Sequence, residues 1–400
     1  MSASALAWLG KNAIDGRMGK VLAPLADKVL GRSFPARSRL RVHVYYTRSR
    51  ISFSQVYPFL QFSDEIAENY AADIRLFDVE RLLDGELTPV GADVVIVQPW
   101  FTVDPDRLSW ALERVNGANP RARVIFLDSY AHSDLRLARH VDPFVDLYVK
   151  KSLFRDRAEY FQPTRGDTNL TDYYGWQYGC AEKAVDWLVP RSIVPKLRAG
   201  ANFFTAPGLL EGFLGAPPDL DAERPIDLHA RLTASGSPWY MGMRTQALRH
   251  AEALPGRVVT GTGISRGQFM EELFHSRLVF SPFGYGELCW RDVEGFMTGA
   301  VVVKQDMSHL ETCPDLYRPW ETYVPVSWDF SDFRENIARV LNNTELRRSI
   351  AMNAWRATHR YLTDGQMMAD MGLYFDGARP VAQPAQEAGV TALGLRPSRG

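Results

Sequence analysis

The stretch "SPFGYGELCWRDVEGFMTGAVVVKQ", Ser281 to Gln305, decides the fold. It begins inside "RLVFSPF", which has the unbroken apolar content of a buried strand, and it ends in "AVVVK", which has the same. Between them lie a loop with Gly284 and Gly286 and a helical run that starts near Leu288. A buried strand, a glycine loop, a helix and a second buried strand make one unit of a parallel sheet covered on both faces.

The same alternation extends in both directions. From Leu40, the strands "LRVHVYY", "ADIRLFDV", "ADVVIVQPW", "ARVIFLDSY" and "VDLYVKKS" are separated by helical runs such as "PDRLSWALERVN". From Ile226 a second series reads "IDLHARLT", "GRVVTGTG", "RLVFSPF" and "AVVVKQ", with "MRTQALRHAEAL" and "RGQFMEELFHS" as helices. The expected fold is α/β, with two doubly wound Rossmann-like domains facing across a cleft; 400 residues are more than one core usually serves. The expected boundaries are a helical arm over 1–37, a first domain over 38–205 and a Pro/Gly-rich linker over 206–225. A second domain follows over 226–379, and the Pro/Ala/Gly-rich tail 380–400 reads as disordered. The irregular insertion "RGDTNLTDYYGWQYGCAEK" reads as a functional loop.

Composition narrows the function. A net charge of −1 leaves no electrostatic footprint for nucleic acid, so no nucleic-acid partner is expected. Three cysteines without metal-ligand spacing read as free thiols of a reducing compartment, and the cytoplasm is the default location. No apolar run approaches the roughly 20 residues that span a bilayer. The N-terminal segment, mildly amphipathic, reads as a packing helix or mobile arm rather than a membrane-surface helix. No GxGxxG follows the first strand of either half, and "GTGISRG" at Gly261 to Gly267 has the wrong spacing for one, which argues against a dinucleotide cofactor.

Chemistry-bearing residues gather in the opening stretch. Gly284 and Gly286 let backbone amides approach a ligand, and the helix behind them aims its positive end at the loop. Arg291 and Glu294, three apart, share a helix face. The arginine can clamp diphosphate oxygens, and the carboxylate can accept two ribose hydroxyls. The competing reading is an exposed helical ion pair. Lys304, at the carboxyl edge of its strand, could neutralise phosphate, and His309 in "DMSHLE" could contact a sugar or serve the loop's structure. In the first domain Arg48, Arg50, Trp100, Asp128, His132 and Asp134 stand at strand ends. His132 and Asp128 lead as catalytic base, while Asp134 could instead cap the following helix. Two Asp-x-Asp triplets raise the question of a metal. Asp104-Pro105-Asp106 has the form of a helix cap, and Asp219 and Asp221 lie in the linker, so no metal is assigned.

Residues 281–311 resemble the donor-binding region of GT-B-fold glycosyltransferases, particularly group-one and exostosin-like enzymes. The matching pattern is the glycine loop, Arg291, Glu294, Gly295, Gly299 and "AVVV", within a similarity that runs from Asp227 to about Leu362. The resemblance implies sugar transfer from a nucleoside-diphosphate sugar, with no other cofactor, to a glycan or lipid-linked acceptor in surface polysaccharide synthesis. Peripheral association with the inner membrane face would accompany that role. It also places Arg244, where the first strand's loop enters a helix, on the diphosphate. Many relatives carry two glutamates eight positions apart; here the residue eight before Glu294 is Gly286 and Glu287 is seven before, a departure from the pattern at the donor-sugar contact, with Glu287 kept as a donor-binding candidate. Inversion or retention stays open. An epimerase on the same fold and a non-catalytic nucleotide-sugar-binding protein are the alternatives.

Overall fold

The computed structural model describes residues 2–375, apart from 15, 36, 37, 181 and 182. The tail read as disordered lies outside the described residues. Helix α1 (Ala3–Asn12) comes first and buries Leu6 and Leu9, and α2 (Gly16–Leu30) follows it. The chain then alternates: β1 (Leu40–Tyr46), α3 (Arg50–Gln61), α4 (Ser63–Tyr70), β2 (Ala72–Asp78), α5 (Val79–Leu83), β3 (Val94–Gln98), α6 (Pro105–Ala118), β4 (Arg123–Asp128), α7 (Ala138–Val141) and β5 (Leu147–Lys150). Strand β3 is buried along its whole length, as its "VVIVQ" composition requires of a strand covered on both faces. Asp104 accepts the Arg107 amide at 2.8 Å with Pro105 in the first helical turn, so this triplet opens α6 as a cap.

Strand β6 (Ser152–Phe154) leaves the sheet, and β7 (Thr164–Arg165), α8 (Asn169–Gln177) and β8 (Ala184–Val185) form the irregular insertion. Strand β9 (Leu197–Ala199) completes a six-stranded parallel sheet in the order β2-β1-β3-β4-β5-β9. Helix α9 (Leu209–Leu214) buries Leu209, Leu210 and Phe213 within the stretch read as linker.

The second domain runs β10 (Ile226–His229), α10 (Pro238–Glu252), β11 (Val258–Val259), α11 (Arg266–Phe274), β12 (Ser276–Phe280), α12 (Trp290–Thr298) and β13 (Val301–Gln305). Then come β14 (Leu310–Thr312), β15 (Val324–Val326), α13 (Phe333–Leu341), α14 (Thr344–Thr363) and α15 (Gln366–Met371). Its parallel sheet has the order β11-β10-β12-β13-β15. The order reverses between β1 and β3 in one sheet and between β10 and β12 in the other. Crevices at the carboxyl ends of such strands take ligands.

The two carboxyl edges meet. Strand β14 pairs antiparallel with β6, placing Leu310 opposite Phe154 and Thr312 opposite Ser152. Helix α8 crosses to the other domain: the Tyr174 hydroxyl donates to the Trp328 carbonyl at 3.0 Å and accepts from the Gln305 amide at 3.0 Å. The last described residues return to the first domain, where the Tyr70 hydroxyl donates to the Met368 carbonyl and Tyr374 packs edge-on against Phe59. Among the described residues no helix is long and apolar enough to cross a membrane.

Candidate active site

The crevice between β10 and β12 holds two arginines. Arg244, in α10, is 5 % exposed, lies over the Tyr240 ring at 5.0 Å and leaves its buried Nε without a partner. Arg291, in the first turn of α12, donates from Nη2 to the Arg231 carbonyl at 2.7 Å, and its Nε is likewise buried and unpartnered. Burial, and then the charge of Arg244, hold the Arg291 pKa below its ordinary value. Neither arginine is in an ion pair among the described residues. Two guanidinium groups drawn partly out of water beside each other, with Glu294 and Asp292 acting on Arg291 only from beyond contact, are costly unless an anion joins them. Gly284 stands beside them: a Cβ there would lie 3.9 Å from Arg244 Nη2 and within ordinary contact of everything else, so the backbone faces the guanidinium without crowding.

Glu294 lies one turn along α12, 4 % exposed, with one carboxylate oxygen paired to Arg266 at the start of α11. Arg266 itself is 55 % exposed, so the partner of Glu294 is a surface cation rather than Arg291, with which it shares a face of α12. Arg266 was not among the residues singled out in the sequence. Its place at the first position of a helix after "GTGIS" was the available signal.

Lys304 is a correction. It is fully buried, donating to the Ser281 carbonyl at 3.0 Å and to Asp292 Oδ1 at 3.2 Å. Asp292, also fully buried, accepts in addition from Ser281, from Tyr317 at 2.8 Å and from the Cys289 amide at 3.0 Å. This ion pair fastens the glycine loop to α12 from beneath, and the lysine has no side facing a phosphate.

Gly286 and Glu287 serve the junction of the domains. A Cβ on Gly286 would stand 2.0 Å from the Ala131 carbonyl oxygen, so glycine here permits the loop to seat on the first domain. Glu287 is fully buried and accepts from Ser133 at 3.1 Å and from Asn169 at 2.8 Å, with His309 Nε2 at 3.5 Å. Burial alone would raise its pKa; His309 and Asn169 reverse that and hold the carboxyl below its ordinary range. Glu287 and His309 are thus brought together, in a knot of both domains.

In the first domain His132 is 5 % exposed and its Nε2 has no partner, while Nδ1 lies 4.0 Å from Asp134. Burial lowers its pKa to about 4, so the imidazole is neutral at physiological pH. Its ring lies 4.3 Å from Tyr130 and 6.3 Å from Tyr285. Tyr285 in turn stacks on Tyr240 at 4.6 Å, the ring under Arg244. A short aromatic bridge therefore runs from His132 to the arginine crevice. Asp128 is a second correction: its buried carboxylate accepts from Tyr148 at 2.6 Å, Lys150 at 2.8 Å and the Tyr130 amide at 2.9 Å, and the Lys150 ion pair holds it as a structural anion rather than a free base. Asp134 is held by Arg136 through two nitrogens at 2.8 Å rather than capping α7. Arg48 pairs with Asp27 and Asp78, away from the crevice.

Trp100 packs on Phe101 at 4.8 Å, and Phe101 stacks on Tyr130 at 4.0 Å. Arg136 lies between the Tyr130 and Trp187 rings. Exposed Arg50 lines a cavity of about 280 Å³ with Lys11 and Trp290. Lys151, which the sequence reading passed over, is buried and donates to the Ile51 and Ser129 carbonyls at 3.0 and 3.2 Å, tying the first turn of α3 to the loop that follows β4. A larger cavity of about 510 Å³, lined by Arg198, Glu311 and Asp370, touches neither arginine of the crevice nor His132. Among the described residues no group of three or more His, Cys, Asp or Glu side chains is arranged to hold a metal ion.

No family model matches the chain, and no curated protein matches its sequence. Solved structures of similar arrangement include an alpha-glucosyltransferase in complex with UDP-glucose and DNA containing an abasic site, at 11 % identity and a TM-score of 0.48 over 84 % of this chain and 99 % of that one. Sucrose-phosphate synthase from Thermosynechococcus elongatus matches at 10 % identity and a TM-score of 0.43, over 84 % of this chain and 98 % of that one. TarM matches at 9 % identity and a TM-score of 0.40, over 82 % of this chain and 58 % of that one. The expectation of no nucleic-acid partner is withdrawn: the alpha-glucosyltransferase structures are complexes with DNA beside UDP or UDP-glucose, and a net charge near zero does not exclude such a partner.

Proposed function

We propose that this chain transfers the glycosyl group of a nucleoside-diphosphate sugar to a hydroxyl of an acceptor seated on the first domain. The observation that carries the reading is the pair Arg244, buried, and Arg291, half-buried, at the switch point, each with a buried, unpartnered Nε and no carboxylate in an ion pair with either among the described residues. As the anomeric C–O bond breaks, negative charge gathers on the departing diphosphate. Two fixed guanidinium groups and the amino end of α12 stabilise it there without reorganising. Glu294 takes the ribose hydroxyls, exchanging Arg266 for them. His132, neutral and with Nε2 free, accepts the acceptor's proton in an inverting course; a retaining course needs no such base. The anomeric configuration of the product, read by NMR, separates the two.

The rings of Trp100, Phe101 and Tyr130 offer an acceptor an apolar surface to lie on, and the acceptor class we propose is a glycan or lipid-linked glycan; transfer assays on both a glycan and DNA decide it. With cationic side chains on the diphosphate, the transfer proceeds without a divalent ion and survives excess EDTA.

The test is thermal unfolding of the protein with UDP-, GDP- and dTDP-linked sugars, followed by transfer assays on those that bind. A donor at a hundred times its Kd adds about 2.7 kcal/mol of stability. Arg291→Ala should abolish that gain, and Arg291→Lys should restore part of it, because one ammonium cannot reproduce a forked contact. An undiminished gain in both Arg291→Ala and Arg244→Ala would sink the reading. Conversion of the donor without any acceptor would point to an epimerase instead.

A further inference from the structure

The edge of the second sheet opposite the crevice carries a separate cluster of charge. A cavity of about 250 Å³ is lined by Arg224, Arg277, Arg347 and Arg348, with Gly299 and Thr344. Arg224 precedes β10, Arg277 lies at the start of β12, and Gly299 ends α12 ahead of β13. All three mark the amino ends of the strands, whereas Arg244 and Arg291 stand at the carboxyl ends. Thr344 opens the 20-residue helix α14, so the positive end of that helix also borders the cavity.

The arginines differ in their partners. Arg277 pairs with Asp227 at 2.8 Å and Arg348 pairs with Asp221, and in both pairs the arginine side chain is more than two-fifths exposed, at 42 and 44 %. Exposed pairs of this kind hold weakly and exchange readily for a multivalent anion. Arg224 and Arg347 are in no ion pair among the described residues. Arg224 donates to the carbonyls of Ser276 at 2.9 Å, Thr298 at 2.8 Å and Asp219 at 3.2 Å, and its Nε is buried without a partner. Arg347 donates to the carbonyls of Val340 at 3.2 Å and Leu341 at 3.0 Å. Both guanidinium groups are held in place by backbone while their charges stay uncompensated at contact range. Burial and the neighbouring Arg277 lower the Arg347 pKa, and burial lowers that of Arg224, with Arg347 adding to it and Asp219 offsetting part. Glu223, exposed at the rim, is the one acidic side chain lining the cavity itself.

We propose that this cavity is a second anion site, built for a phosphoryl group and distinct from the donor crevice. Forked donors from several directions, a helix amino end and a pre-set backbone scaffold are what a phosphate monoester or diphosphate requires. The group arrives either as a free ion or as the headgroup of an acidic lipid.

The full chain is titrated with inorganic pyrophosphate by calorimetry at low ionic strength. Two equivalents are expected. Arg291→Ala removes the one in the crevice, and the Arg277→Gln/Arg348→Gln double variant weakens the other at least tenfold. Arg347→Gln should weaken that second equivalent to the same degree. The double variant replaces exposed side chains that hold no buried carbonyl, and an unchanged unfolding midpoint verifies that it is folded. Sedimentation with phosphatidate vesicles, but not phosphatidylcholine vesicles, that is lost in the double variant identifies the lipid source. Pyrophosphate binding without sedimentation identifies the free ion. A single equivalent in the unaltered chain, or a second equivalent undiminished in either arginine variant, overturns the proposal. Failure of the Arg291→Ala arm alone bears on the crevice and leaves this site standing.

Discussion

Glu294 has a partner, Arg266, that stands exposed at the surface, and that makes its role separable from that of the two arginines in the crevice. Glu294→Ala should weaken a ribonucleoside diphosphate by about 1–3 kcal/mol, the cost of leaving hydroxyls without a charged acceptor, and leave the 2′,3′-dideoxy analogue unchanged. Arg266→Ala should weaken neither, since it removes a competitor of the ribose. Calorimetry with the two nucleotides decides it, and equal losses for both would remove the ribose from Glu294. That Arg291 and Glu294 share a face of α12 was readable from sequence, because a spacing of three on a helix is geometry that no neighbour can alter. Lys304 and Asp128 were misread for the complementary reason. A strand position tells where a side chain starts, but not that Asp292 lies across from one and Tyr148 and Lys150 beside the other.

The glycine loop and α8 act as whole elements. A Cβ on Gly286 would meet the backbone of Ala131 at 2.0 Å, well inside any tolerable contact, so Gly286→Ala must shift the loop or part the domains. Because a misplacement of about 1 Å between reacting groups costs about 100-fold in rate, kcat should fall by about that factor. Nucleotide affinity should hold, since Arg244 and Arg291 belong to one domain. Steady-state kinetics beside binding measurements test this, and unchanged kcat would show that the seat on Ala131 is dispensable. The alternation of strands and helices was legible wherever β-branched runs met amphipathic ones. Helix α8 was not, because "NLTDYYGWQ" has no apolar stripe of its own period. Tyr174 stacks on Trp239 and Trp328, which the other domain supplies. Helix α9 hid similarly inside a Pro/Gly-rich stretch, since its leucines are buried by elements far along the chain.

At the scale of the whole molecule, buried neutral histidines set the response to acid. His132 and His229 both have pKa values lowered to about 4, chiefly by burial. In the unfolded chain each takes up its proton near 6.5 and in the folded one only near 4, so between those values the unfolded state binds more protons. Stability therefore falls as pH falls through that window, by about 1–2 kcal/mol per histidine between pH 6.5 and 5. Urea midpoints measured from pH 7 to 4.5 should drop steadily, and a flat profile would contradict the burial of both rings. Two facing α/β domains could be foreseen from strand order, but their closure could not, because it rests on pairings such as β6 with β14 that join segments more than 150 residues apart. The return of the last described residues onto α3 and α4 has a consequence for synthesis on the ribosome. Phe59 and Tyr70 emerge early, yet the segment that covers them, Met368 to Phe375, is among the last of the described chain to be made. At about 5–20 residues per second that interval lasts about 15–60 s. The domain built first thus waits, with an aromatic face open to water or to a chaperone, until the far end of the same chain arrives to cover it.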